Sequence, residues 1–230
     1  MSKKIEVIKI DEKLISSSMT VKELLFYYSC VKDRIKRRLK EFEKVGKEND
    51  RRLFEELCFC IFTANASAKM GANCIERIRP VLLTGTAKEL QEKIKGHYRF
   101  WRVRPEYIVH TREFLSNEYG LKMRKLIESF KDRETLRDFF AKNKGIKGIG
   151  YKEASHFLRN IGIKGYGIMD KHILKCLCEF GIICEVKPVN TREKYLEMEA
   201  KLKEFSKKIK VDFDELDLLL WSSKTGEILK

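Results

Sequence analysis

The sequence predicts an all-α fold. Apolar residues recur every three to four positions along most of its 230 residues, alternating strand-like patterns of any length are missing, and only three prolines interrupt the chain. Val21–Val45 carries Leu24, Leu25, Tyr28, Val31, Ile35 and Leu39 at helical spacing. Lys32, Arg34, Lys36, Arg37, Arg38 and Lys40 are interleaved, so one face packs and the other meets water. Asp50 is placed to cap the next helix, whose Leu53, Phe54, Leu57, Cys58, Ile61 and Phe62 form a wide apolar face. Further helices are expected at Lys69–Leu82, Thr86–Ile94, Pro105–Glu118, Leu121–Phe130 and Arg133–Lys142. Tyr151–Ile161 is an amphipathic run, and Lys171–Phe180 reads as a helix closed by Gly181. After Pro188, Asn190 and Glu193 stand at capping-box spacing before Tyr195, Leu196, Met198, Leu202, Phe205 and Ile209. Leu216–Trp221 is the last apolar stretch. No internal repeat or Pro/Gly-rich linker divides the chain. Its length allows one compact domain or two small lobes, and its helices are too many and too short for a simple coiled coil.

Charge narrows the partner. Lys and Arg number 49 against 34 Asp and Glu, a formal net charge of +15. A charge of that size points to a polyanion, with nucleic acid ahead of an anionic membrane surface. The competing reading is the Lys/Glu-rich surface of a thermophile, which the single glutamine, Gln91, fits; thermophile enrichment raises both signs, however, and here the positive sign wins. No stretch approaches the ~20 apolar residues of a membrane span, and the N-terminal Met1-Ser-Lys-Lys-Ile lacks the apolar run of a signal peptide. A soluble intracellular protein is the expectation. Seven cysteines, an odd number, argue against a disulfide framework in a reducing compartment. Cys176-x-Cys178 with Cys184 suggests a metal site, but residues two apart on a helix face different ways and no fourth ligand follows at finger-like spacing. Free thiols and no metal are expected.

The chemistry is concentrated in Gly145-Ile-Lys-Gly148-Ile-Gly150-Tyr-Lys152-Glu-Ala-Ser-His-Phe-Leu158. Three glycines in six residues, between one helix and the next, make a tight turn that lets another group come close to the backbone. Main-chain N–H groups at the start of a helix can hold a phosphate there, with Lys142, Lys144 and Lys147 adding charge on the same side. An ordinary helix–helix loop is the plainer reading. The order apolar-x-Gly-Ile-Gly-x-Lys-x-Ala before an amphipathic helix, in a basic chain, is the stronger pattern.

These residues resemble the helix-hairpin-helix DNA glycosylases, and most closely the second, archaeal-type family of 8-oxoguanine DNA glycosylases/AP lyases. Further segments carry the resemblance: Leu57-Cys-Phe-Cys-Ile-Phe-Thr-Ala-Asn65-Ala-Ser67-Ala, then His97-Tyr-Arg99-Phe100 with Glu106-Tyr-Ile-Val109, then Leu216-Asp217-Leu218, Trp221, Thr225-Gly226 and the terminal Lys230. Two segments depart from the family pattern: Glu113–Arg124 looks longer, and Lys69-Met-Gly-Ala-Asn is looser. The resemblance implies two helical lobes around a DNA-binding cleft, with the hairpin at about 134–162 gripping the DNA backbone and a tail at 216–230 returning toward the cleft. It implies a bifunctional repair enzyme acting on double-stranded DNA that contains 8-oxoguanine, without a cofactor because an amine and a carboxylate suffice. It further implies a cytoplasmic, nucleoid-associated protein of a prokaryote, acting as a monomer.

The resemblance also places individual residues. Lys152, just after Gly-x-Gly, corresponds to the nucleophilic lysine, and Asp170, in Gly167-Ile-Met-Asp170-Lys-His172-Ile, to the aspartate that opens the following helix. An amine is nucleophilic only when neutral, so a site must lower a lysine pKa from its ordinary value of about 10.4; burial, neighbouring cations such as Lys147 or Lys171 and a helix N-terminus act in that direction. Asp170 would stabilise positive charge developing on the sugar while also capping its helix. Phe100 and Trp221 would supply aromatic surface to a flipped base, and the main-chain carboxylate of Lys230 would accept from the guanine edge. Asn65 would fill the gap left by the flipped base, or cap the helix ending at Ala64. Gly148, Gly150 and Lys147 would contact the backbone. A non-catalytic DNA-binding module and a glycosylase for another damaged purine remain as alternatives.

Overall fold

A computed structural model describes residues 8–9 and 19–228. The elements run β1 (Ile8–Lys9), α1 (Val21–Gly46), α2 (Asp50–Thr63), α3 (Ala68–Ile78), α4 (Ala87–Ile94), α5 (Val103–Tyr119), α6 (Met123–Glu128) and α7 (Arg133–Lys142). They continue with α8 (Tyr151–Asn160), α9 (Lys171–Glu179), α10 (Arg192–Ile209), α11 (Phe213–Thr225) and β2 (Glu227–Ile228). The fold is all-α as expected. Among the described residues the one departure is the antiparallel pair of two-residue strands, with Ile8 opposite Ile228. The chain divides into two compact units, a central one of residues 44–161 and a terminal one built from both ends, residues 1–43 and 162–230.

The central unit is organised around α2. Leu53, Phe54, Leu57, Cys58, Phe59, Cys60, Ile61 and Phe62 are all buried, so this helix is enclosed on every side. Its cap is Asn49 rather than Asp50: the Asn49 side chain accepts from the Arg52 N–H at 3.0 Å. Asp50 instead accepts from the Arg124 N–H at 2.8 Å and ties α6 to the start of α2. Asn and Asp cap equally well, and a distant donor decided between them. Two buried carboxylates lie on the same helix. Glu55 pairs with Arg79 at 2.9 Å, and Glu56 pairs with Arg52 at 3.1 Å and accepts from Asn160 at 2.8 Å. The expected Lys69–Leu82 helix stops at Ile78, where Pro80, which has no N–H to offer, lies in a 3₁₀ turn over Arg79–Val81. The expected Leu121–Phe130 helix shrinks to α6, because Gly120 and Leu121 both take left-handed backbone after α5.

In the terminal unit α1 buries Leu24, Tyr27, Val31, Ile35, Arg38 and Phe42, a single stripe at 3-to-4 spacing. Tyr27 donates to Ser222 of α11 at 3.2 Å, and the Arg38 guanidinium donates to the Ile228 carbonyl at 3.1 Å, fixing the chain just before its end. The cap of α10 is Thr191, which accepts from the Lys194 N–H at 3.3 Å; the Asn190–Glu193 box expected from spacing is displaced by one residue. Gly181 closes α9 in left-handed backbone, as its position suggests. Residues 216–225 lie in α11, where Leu216–Leu220, Ser222 and Ser223 are buried, and Gly226, at φ 71°, turns the chain into β2.

Candidate active site

The turn between α7 and α8 is anchored from below and open above. Ile146 and Ile149 are buried, while Lys142, Lys144, Lys147 and Gly150 are exposed. The Lys147 N–H donates to the Thr111 hydroxyl at 3.0 Å, and the Gly145 N–H to the Asn143 side chain at 2.9 Å. Gly148 has φ +75°, and a Cβ there would lie 2.6 Å from Arg104 and 2.7 Å from Tyr107. Glycine is required at that position by the protein itself. Gly150 differs: its backbone is extended, and a Cβ would meet only a Glu153 oxygen at 3.4 Å. The N–H groups of Gly148 and Ile149 meet no acceptor among the described residues, which leaves them for an anion.

Lys152 lies in the first turn of α8, beside this opening. Its ammonium is held by Glu153 at 2.9 Å, and the other oxygen of Glu153 accepts from the Gly150 N–H at 3.3 Å. One carboxylate therefore joins the hairpin backbone to the amine. This partner is a carboxylate, which the sequence reading did not name. Glu153 is an adjacent acceptor for a proton of the amine. An acidic residue three positions after a helix-opening glycine is a visible signal, and sequence reasoning passed over it.

Phe100 is gripped in the same unit. Arg99 stacks on its ring at 4.2 Å and Arg104 lies 5.5 Å from its centre, while Arg104 also lies 5.4 Å from the Tyr107 ring. The carbonyls at the C-terminal end of α2 need donors, and this segment supplies them: Tyr98 to Phe62 at 2.6 Å, Arg104 to Ala64 at 3.2 Å and Arg99 to Asn65 at 3.4 Å. Burial pushes the Tyr98 hydroxyl up to about 12. Asn65 is exposed in left-handed backbone at φ 60°, one residue beyond the Ala64 cap, with its side chain open to solvent.

Asp170 opens α9 in the terminal unit. One carboxylate oxygen accepts from the His172 N–H at 2.8 Å and from the Ile173 N–H at 2.9 Å, leaving the second oxygen for another partner. The edge of the His172 ring faces Trp221 of α11, with centroids 6.4 Å apart, so Asp170, His172 and Trp221 share one corner of this unit. Trp221 is partly exposed. Lys230 lies outside the described residues. Cys176 is buried while Cys178 is partly exposed, so the two thiols face apart as helical geometry requires. Lys152, Phe100, Asn65, Lys147, Gly148 and Gly150 are brought together in the central unit; Asp170 and Trp221 are brought together in the terminal unit. The acceptors that hold the backbone before Asp170 were not foreseen.

Comparison with known proteins bears on this arrangement. A sequence model of the 8-oxoguanine DNA glycosylase family matches residues 35–211. The chain is 42% identical over 204 residues to an 8-oxoguanine DNA glycosylase/AP lyase of Methanocaldococcus jannaschii, covering 88% of this chain and 94% of that protein. It is 38% identical over 216 residues to one of Aquifex aeolicus, covering 85% and 92%. Among solved structures it resembles the M. jannaschii 8-oxoguanine glycosylase/lyase in complex with a 15mer DNA containing 8-oxoguanine, with a TM-score of 0.83, 39% identity and coverage of 91% and 99%. The 8-oxoguanine DNA glycosylase of Thermotoga maritima matches with a TM-score of 0.81, 33% identity and coverage of 91% and 98%.

Proposed function

This chain belongs to the 8-oxoguanine DNA glycosylase family, and on that premise we propose that it excises 8-oxoguanine from duplex DNA and then cleaves the abasic strand. The observation that carries the proposal is Lys152 in the first turn of α8, directly after a glycine hairpin in which the Gly148 and Ile149 N–H groups meet no acceptor among the described residues. In this reading Gly148, Gly150 and Lys147 hold the DNA backbone, and Asn65 enters the space vacated by the flipped nucleotide. The base then stacks against Phe100 and Trp221, while the Lys230 carboxylate accepts from its N1–H and N2–H₂ donors.

The neutral Lys152 amine attacks C1′ of the sugar, and the C1′–N9 bond breaks as the base departs with its electron pair and takes up a proton. Glu153 lies within 2.9 Å of the amine and can receive the proton it sheds. The free oxygen of Asp170 stabilises the cationic sugar. The nitrogen lone pair then expels O4′: the C1′–O4′ bond breaks, the sugar ring opens as O4′ takes up a proton, and a protonated imine joins Lys152 to C1′. Removal of a C2′ proton then expels the 3′ phosphate by β-elimination, and water releases the enzyme. No oxidant, reductant or bound metal is required by this balance.

A basic chain without catalysis would bind the same DNA, and another oxidised purine would use the same amine. One assay separates them. The protein is incubated with labelled duplexes that carry 8-oxoguanine, guanine or a preformed abasic site. The expected result is base release and nicking on the first, none on the second and nicking on the third. Binding without release or nicking on any duplex would leave only the DNA-binding module. A cytoplasmic setting in a prokaryote follows from the same reading; among the described residues no helix is long and apolar enough to cross a membrane.

A further inference from the structure

We propose that Asp217, Glu199 and Tyr195 are positioning residues for the Asp170 carboxylate, acting through the backbone that leads into α9. The proposal rests on the reading of Asp170 as the anion facing the sugar.

Residues 163–170 form an irregular segment between α8 and α9. Such segments normally run over a surface, where water takes their N–H groups. Here Tyr166, Ile168 and Met169 are buried, so each backbone donor needs a partner from the protein. Side chains of α10 and α11 supply them almost residue by residue. Gly165 N–H donates to Asp214 at 2.6 Å, Gly167 N–H to Glu199 at 2.9 Å, Ile168 N–H to Asp217 at 3.0 Å and Met169 N–H to the Tyr195 hydroxyl at 3.2 Å. That hydroxyl donates in turn to the Gly167 carbonyl at 2.8 Å. The Asp170 N–H closes the series on the Ile168 carbonyl at 2.7 Å.

The acceptors themselves are costly to keep. Asp217 is 2% exposed, Glu199 3% and Tyr195 1%. Taking carboxylates this far from water is unfavourable unless their hydrogen bonds are made, and an apolar residue with a surface loop would hold two helices together at lower cost. The comparison within the chain is direct. Asp132 also caps a helix, accepting from the Thr135 N–H at 2.7 Å, but it and Lys131 before it are exposed, and no buried carboxylate holds their approach. Among the described residues, only the cap at Asp170 has both its carboxylate fixed by the helix and its backbone fixed by the three residues of α10 and α11. A carboxylate that must meet a sugar needs its place fixed to within a fraction of an ångström; a helix cap does not.

A merely structural role and a positioning role differ in a double-mutant cycle. The conservative variants Tyr195→Phe and Asp217→Asn are each made alone and with Asp170→Asn. Single-turnover base release is measured at saturating 8-oxoguanine duplex, normalised to the fraction of protein that borohydride can trap at end point, so that unfolded protein does not count. With Asp170 present, Tyr195→Phe and Asp217→Asn should each lower the rate by roughly 10- to 100-fold, the scale of a catalytic group displaced by about 1 Å. In the Asp170→Asn background the same changes should cost less than about threefold, while DNA affinity stays level in all variants. Equal losses in both backgrounds, or wild-type rates in both single variants, would overturn the proposal alone. A fully active Asp170→Asn would remove the reading of Asp170 and this proposal with it.

Discussion

Gly148 and Gly150 stand two residues apart in one hairpin, and the structure gives opposite reasons for them. Alanine at 148 would have to hold φ +75° and place its Cβ 2.6 Å from the Arg104 guanidinium. Left-handed backbone costs an L residue roughly 1–2 kcal/mol, and overpacking adds roughly 1–3 kcal/mol. Gly148→Ala should therefore destabilise the central unit by about 2–5 kcal/mol. Alanine at 150 meets only a Glu153 oxygen at ordinary contact distance, in extended backbone that any residue adopts. The folded protein should tolerate it, or gain about 0.4–1 kcal/mol from a stiffer unfolded chain. If the Gly148 and Ile149 N–H groups bind a DNA phosphate, however, a methyl group at 150 stands in its path. Loss of one or two hydrogen bonds to a charged oxygen, at roughly 1.5–3 kcal/mol each, weakens binding by about 10-fold to well over 100-fold. Thermal unfolding and the Kd for an 8-oxoguanine duplex at fixed salt are the two measurements. An unchanged Tm with greatly weakened binding is expected for Gly150→Ala. Wild-type affinity in that variant would refute close approach of the DNA backbone at this turn.

Three other outcomes follow from the same structure and sequence. Deleting Lys230 should impair release of 8-oxoguanine by about 5- to 150-fold, from one lost base-edge partner of roughly 1–3 kcal/mol, while nicking of a preformed abasic site is much less affected; equal loss of both would assign the tail to folding. In thiol titration of the native protein, Cys30, Cys178 and Cys184 should react promptly. Cys58, Cys60, Cys74 and Cys176 should react only on unfolding, because burial pushes Cys74 and Cys176 from 9.0 up to about 12; a fourth fast thiol would contradict the packing. Burial likewise raises Tyr98 from 10.0 to about 12, so the native state holds this proton more tightly than the unfolded chain. Its contribution is then complete below pH 10 and is lost as pH rises through about 12. At about 1.36 kcal/mol per pKa unit it is worth up to roughly 2–3 kcal/mol. Urea unfolding of Tyr98→Phe should show a shallower alkaline decline than the wild type, and parallel declines would count against it.

How far the sequence could be read depended on the range of the forces involved. The stripe of α1 and the hairpin were legible because neighbours a few residues apart decide them: Leu24, Val31 and Ile35 share a face by periodicity alone, and Gly148-Ile-Gly150 marks its own turn. Caps were legible to within one residue. Asn49 won over Asp50 because Asp50 accepts from the distant Arg124 N–H, which local spacing does not contain, and Thr191 caps α10 one residue beyond the expected Asn190. The strap before Asp170 was invisible for the same reason. Its acceptors lie 26 residues away at Tyr195, 32 at Glu199 and 49 at Asp214 and Asp217, so only the folded terminal unit brings them to the backbone they hold. One trace was present: Asp217 interrupts the otherwise apolar Leu216–Trp221, and a carboxylate in such a run must have a buried donor. The joining of residues 1–43 with 162–230 into one unit likewise has no local signal.

The central claim is that Lys152 forms a covalent imine with the sugar it has stripped of its base. Borohydride reduces that imine to a stable amine, so the protein is incubated with an 8-oxoguanine duplex in its presence, digested and mapped by mass spectrometry. The account predicts a nucleotide-modified peptide with the modification on Lys152, absent with a guanine duplex and absent from Lys152→Gln, which should still bind the DNA. A trapped adduct on Lys147 or Lys171, an adduct that persists in Lys152→Gln, or folded protein that binds the lesion and traps nothing would contradict it.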